Sequence, residues 1–151
     1  MKHSDSIVKI AKALVQAQAE MPPAKIDQTN KFLGNRYATL GSVIDTSKPV
    51  LEKYGLAVTQ LPISIENQIG VNTVLIHESG EWISETVAID APSEKGKSAA
   101  QVAGSIISYL RRYALAAILG MYADEDTDGN PPPQRSPVEQ EKEDPRVTAI
   151  K

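Results

Sequence analysis

The chain is 151 residues long, contains no cysteine, is 41% apolar and carries a formal charge of −3. That length suits one domain with a modest core, and the lack of cysteine excludes a disulfide framework and any thiolate metal site. His3 and His77 are too few and too far apart for another metal site, and no run approaches the roughly 18 apolar residues of a membrane span, so a soluble, cytoplasmic protein without cofactor, catalytic metal or membrane contact is expected.

The charge is unevenly placed. Eight acids and four bases lie from Asp124 onward, which leaves 12 bases and 11 acids in residues 1 to 123. The first 123 residues are therefore near neutral, and the acidity belongs to the end of the chain. A basic patch is compatible with this balance but is not demanded by it.

Residues 6 to 20 place Ile7, Ile10, Leu14 and Ala17 at helical spacing, and Pro22-Pro23 ends the segment, so an amphipathic helix is predicted there. Residues 24 to 37 read as a loop carrying Lys25, Lys31 and Arg36. Thr39 can then cap a second helix bearing Leu40, Val43, Ile44, Val50, Leu51 and Tyr54, with Gly55 as its left-handed terminal residue. Pro49 inside that helix is expected to kink or divide it.

From Leu56 the apolar period changes to two, in runs 56 to 63, 71 to 77 and 82 to 89. Their short connections predict a three-stranded antiparallel meander. Ile83, Val87 and Ile89 alternate with Ser84 and Thr86, as in a sheet with one face against helices and one face open. A long helix over about 98 to 119 follows. Pro131-Pro132-Pro133, Pro137 and mixed charge then predict a flexible tail over 131 to 151. The fold class expected is α+β, with one domain over 1 to 130.

Two motifs point elsewhere. Ala91-Pro92-Ser93-Glu94-Lys95-Gly96-Lys97-Ser98 fits the phosphate loop G-x-x-x-x-G-K-[ST] except at its first position, which would suggest a small ATPase. A nucleotide loop needs a parallel sheet, however, and the preceding strand belongs to a hairpin meander. Lys95 and Lys97 can instead touch the phosphates of a polymer. Asp124-x-Asp126-x-Asp128-Gly129 copies the start of a calcium loop, but Arg135 stands where a bidentate glutamate is required.

The long helix is nearly all apolar or small apart from Arg111 and Arg112, and buried arginines require an acidic or phosphate partner. At about 100° per residue, Val102, Ile106, Tyr109, Tyr113, Ala117 and Gly120 project to one side, read as core. Gln101, Ser105, Ser108 and Arg112 form a polar edge suited to the backbone of single-stranded nucleic acid, or to bonds with the chain's own loops. Arg111 points elsewhere. On this reading Arg112 is the DNA residue, and Arg111 forms a structural ion pair with Asp124, Asp126 or Asp128.

Arg36-Tyr37-Ala38-Thr39-Leu40, Pro49-Val50-Leu51, Gly55 to Gln60, Gly104-Ser105, Ser108 to Leu115 and Asp124 to Asn130 occur in an order that resembles the ERF family of phage recombination proteins. The resemblance covers about residues 1 to 130. It implies a β-β-β-α annealing core and an ATP-independent protein that binds and anneals single-stranded DNA in homologous recombination, assembled with itself into rings or helical filaments. It makes Arg36, Tyr37, Ser105, Arg111 and Arg112 candidate DNA residues, to which charge and the helix wheel add Lys31, Lys95, Lys97, Gln101 and Ser108. A phage exonuclease or single-strand-binding protein is a further candidate partner, and no catalytic residue is required. The competing classes are the small ATPase using residues 91 to 98 and a structural oligomer that holds no DNA.

Overall fold

A computed structural model describes residues 1 to 32 and 34 to 125. The expected tail, with Asp126 and Asp128, lies outside the described residues. The chain runs β1 (Lys2–His3), α1 (Val8–Glu20), β2 (Gln28–Thr29), β3 (Arg36–Tyr37), α2 (Leu40–Lys53), β4 (Leu56–Ile65), β5 (Gln68–His77), β6 (Trp82–Asp90) and α3 (Ala99–Ile118).

The meander is present, and two features enlarge it. The N-terminus adds β1 beside β6, through Lys2↔Ser84 and His3↔Ile83, giving a four-stranded sheet of order β1-β6-β5-β4. The segment expected to be a loop over 24 to 37 contains a ribbon, with Gln28 opposite Tyr37 and Thr29 opposite Arg36. Strands of two residues leave no hydrophobic period to detect, and these two are held by their neighbours. The β4 and β5 strands pair over ten residues each, and Ile65↔Gln68 closes them into a two-residue hairpin in which Glu66 takes a positive φ of 52°.

Pro49 neither divides nor ends α2. It is exposed on the solvent side and removes one main-chain donor without breaking the helix, whose other face is anchored by Val43, Ser47 and Leu51. The Thr39 hydroxyl caps this helix by accepting from Ser42 N at 3.2 Å, and the Asp27 carboxylate accepts from both the amide and the hydroxyl of Thr39 at 2.8 and 2.9 Å. Gly55 ends the connection at φ 65°, where an added Cβ would stand 2.6 Å from the Glu78 side chain.

Cross-strand partners place Leu75 with Ile83, Val71 with Val87 and Ile69 with Ile89 on one sheet face, as expected. All three helices lie against that face. Ile10, Ala13 and Ala17 of α1, Val43 and Leu51 of α2, Leu56 and Leu75 of the sheet, and Leu115, Ala116 and Leu119 form the main core. A second cluster joins Val102, Ile106 and Leu110 of α3 to Val71. This cluster stops short of the far end of β6, so Val87 and Ile89 stay 37% and 41% exposed despite facing the helices. The opposite face leaves Thr59, Leu61, Ile76 and Thr86 exposed, with Ser84 buried.

Candidate nucleic-acid interface

α3 starts at a capping box. Gln101 N donates to Ser98 Oγ at 3.2 Å, and Ser98 N donates to Gln101 Oε1 at 2.8 Å, which pairs two otherwise orphan amides. One turn later Ser105 Oγ donates to the Gln101 carbonyl at 3.0 Å.

The helix changes the side it buries. Its N-terminal half packs Val102, Ile106 and Leu110 on the sheet, and its C-terminal half packs Leu115, Ala116 and Leu119 among the other helices. This corrects the helix-wheel expectation for Tyr109 and Tyr113, which are 53% and 38% exposed and form a ring pair with centroids 4.6 Å apart. Ala117 and Gly120, expected in the same core stripe, are also exposed. A single wheel assumes one partner along the whole helix, and α3 has two.

Along the exposed side runs a shallow groove in two connected parts. Lys97, Gln101, Gly104, Ser105 and Ser108 line the first. Ser108 leads into the second, where Tyr109, Arg112 and Tyr113 face Asn30, Asn35, Tyr37, Thr39 and Asp124. Of the ten candidate residues, six come together here: Tyr37, Lys97, Gln101, Ser105, Ser108 and Arg112. Sequence reasoning missed Tyr109, Tyr113, Asn30 and Asn35. The position of Tyr109 next to Ser108 was the available signal for the aromatic pair, whereas the two asparagines reach the groove only through the ribbon turn.

Arg112 occupies the floor of this groove. Its Nη1 lies 2.9 Å from Asp124 Oδ1, with side chains 11% and 29% exposed, and its guanidinium carbon stands 4.7 Å from the ring centroid of Tyr37 and 4.4 Å from that of Tyr113. Burial by itself pulls the Arg112 pKa down, but the Asp124 carboxylate overcomes it and the net shift is upward. Tyr113 is pushed up to about 12, first by burial and then by its hydrogen bond with Asp124. The strand-like course of the chain after α3 puts Asp124 there, since Tyr37 and Asp124 form an isolated bridge and Ala38 N donates to the Ala123 carbonyl at 2.7 Å.

The ion pair expected of Arg111 is made by Arg112 instead, with Asp124. Arg111 turns into a cleft between α2 and β4 with Ile44, Lys48, Leu51, Gln60 and Leu115, and its buried Nε has no hydrogen-bond partner among the described residues. Its carbonyl accepts from Gln60 Nε2 at 3.0 Å.

The remaining candidates lie around the groove. Lys31 is exposed at the tip of the β2–β3 ribbon, and Arg36 points outward in a 3.6 Å ion pair with Glu125. Lys95 is exposed in the turn before α3, while Lys97 pairs with Glu94. The sheet preceding this turn is antiparallel throughout the described residues, so the lysine-rich loop lacks the parallel strand and crossover of a nucleotide loop. Among the described residues no cluster of three or more acidic or histidine side chains is positioned to hold a metal, and no helix is long and apolar enough to cross a membrane.

Comparison with known proteins agrees with the motif blocks. The chain is 27% identical over 128 residues to the essential recombination function protein of Salmonella phage P22, an alignment covering 82% of this chain and 62% of the phage protein. The chain thus spans less than two thirds of that relative. No solved structure matches. The family model described as the ERF superfamily matches residues 10 to 149, and on that match the chain belongs to the ERF superfamily.

Proposed function

We propose that this protein binds single-stranded DNA along the α3 groove and anneals complementary strands in phage recombination, without ATP and as a homo-oligomer in the bacterial host cytoplasm. The observation that carries this reading is the exposed Tyr109–Tyr113 pair at the end of a run of small polar side chains. Aromatic faces stack on any base, and hydroxyls and amides donate to phosphates without reading sequence, which is what a protein indifferent to sequence needs.

Electrostatics limits how tightly one subunit holds a strand. Arg112 is neutralised by Asp124 and Lys97 is paired with Glu94, so among the described residues of one subunit the unpaired cations near the groove are Lys31 and Lys95, with Arg36 tied to Glu125. A weak site repeated around an oligomer retains DNA through multivalency, and weak single contacts let strands exchange until they pair. In this reading Arg112 keeps Tyr37 and Tyr113 in place and contributes less through its own charge. Residues 1 to 130 carry the activity, and an exonuclease or single-strand-binding protein of the phage is a candidate partner of the remainder.

Annealing of two complementary oligonucleotides, followed by fluorescence in EDTA without nucleotide, tests the proposal. Acceleration over the spontaneous rate is expected. Binding should weaken steeply between 50 and 200 mM salt, by about tenfold for every two to three phosphates neutralised. Tyr109→Ala should weaken binding by about tenfold, the value of one stacked base. Annealing that proceeds only with ATP, or a chain that retains no single-stranded DNA at low salt, overturns it.

A further inference from the structure

We propose that Phe32, at the tip of the β2–β3 ribbon, seats in the Arg111 cleft of a second copy of this chain and joins subunits head to tail. The inference deepens the reading of the protein as an oligomer and rests on it. Two independent features lead to it, one a protrusion and the other a cavity.

The protrusion is the chain's single phenylalanine, 97% exposed. A large aromatic held in water by a soft loop would be unremarkable, but the described residues on either side of Phe32 are hydrogen-bonded. Phe32 N donates to Asn30 Oδ1 at 2.9 Å, Gly34 N donates to the Asn30 carbonyl at 2.7 Å, and Asn30 N donates to the Asn35 carbonyl at 2.8 Å. Gly34 supplies the positive φ of 74° that the turn requires. The ring is thus presented on a pre-organised support, which lowers the ordering cost of docking it. Its exposure also shows that it is not seated in its own subunit.

The cavity is the cleft of about 490 Å³ between α2 and β4. Ile44, Leu51, Val58 and Leu115 give it apolar walls, and Arg111 stands in it with a buried Nε that nothing among the described residues satisfies. A guanidinium whose Nε is left unsatisfied among the described residues, beside an apolar wall, is matched by the face of an aromatic ring. The rim matches as well. Glu52 lines the cleft and is exposed, and Lys31 immediately precedes Phe32, so seating the ring brings an ammonium to a carboxylate.

Protrusion and cleft share no lining residue with each other, so a contact between them uses two different patches of the same chain. Such a heterologous contact repeats from subunit to subunit and produces a ring when the rotation closes, or a helical filament when it does not. A buried aromatic in a pocket, with a charge pair at its edge, has the anatomy of an interface hot spot.

Sedimentation velocity on the full chain, with single-stranded DNA binding measured on the same samples, tests the contact. Wild type is expected as a multimer. Phe32→Ala should collapse it toward the 16.3 kDa monomer with unchanged circular dichroism, because the residue is exposed. Lys31→Glu and Glu52→Lys should each weaken assembly at least tenfold, and the double exchange Lys31→Glu/Glu52→Lys should restore it. A wild-type chain that is monomeric at every concentration overturns the proposal. So does a Phe32→Ala protein of unchanged mass, including the case in which it loses DNA affinity, which would make Phe32 a base-stacking residue. If the variants dissociate as expected but wild type holds no DNA, the contact stands and the annealing function fails.

Discussion

Replacing Arg112 by alanine removes a guanidinium that is 11% exposed, ion-paired to Asp124 at 2.9 Å and stacked between Tyr37 and Tyr113. Breaking one side of a fully buried pair costs about 3 to 5 kcal/mol, chiefly because the other charge is left without compensation. Asp124 is 29% exposed, so water recovers part of that loss. The two ring contacts add about 0.5 to 1 kcal/mol each, which brings the total to about 3 kcal/mol. For a domain of this size such a loss lowers the melting temperature by roughly 10 °C, read by circular dichroism at fixed protein concentration so that assembly is held constant. Arg112→Lys should recover little, since an ammonium cannot stack flat on both rings. Arg112→Ala combined with Asp124→Ala should cost less than the two single changes added together, the shortfall being the coupling within the pair. Arg111→Ala, which removes a buried donor with no partner among the described residues, should be much milder. Melting of Arg112→Ala within about 1 °C of wild type, accompanied by lost DNA binding, would refute this reasoning and make Arg112 a phosphate contact.

Three further outcomes are expected. The Glu81 carboxylate accepts from Ile10 N at 2.8 Å and from Ser6 Oγ at 2.9 Å, and the Ile10 amide first among these holds it below its ordinary range. A depressed folded-state value contributes stability that is complete above the usual carboxylate range and is lost as pH falls through the lowered value, so Glu81→Gln should flatten the acid limb of a melting-versus-pH curve. Tyr113 titrates at about 12 against an ordinary 10.0, so stability should decline between those values as the unfolded state ionises first, and Tyr113→Phe should abolish the last phase of an absorbance titration. An added Cβ at Gly70 would stand 2.5 Å from the Val87 carbonyl and 2.8 Å from Ala88 Cβ, so Gly70→Ala should cost about 1 to 3 kcal/mol in a urea titration.

The sequence alone determined the elements whose pattern is local. The cap Thr39, the left-handed Gly55, the change of period at Leu56 and the short connections of the meander are written in adjacent residues, and with the helical spacing of apolar residues they specify α1, α2, β4 to β6 and α3 to within a few positions. The motif blocks likewise carried the family. Tertiary structure decided everything that depends on what an element packs against. β1 and the β2–β3 ribbon are too short to have a period, and only their neighbours make them strands. Pro49 is tolerated because the far face of α2 is anchored. α3 buries one side on the sheet and another among helices, so no single wheel could expose Tyr109 and Tyr113 or assign the two arginines. Arg112 meets Asp124 because the chain after α3 returns beside β3, a path set by main-chain pairing that side-chain spacing along the helix does not encode.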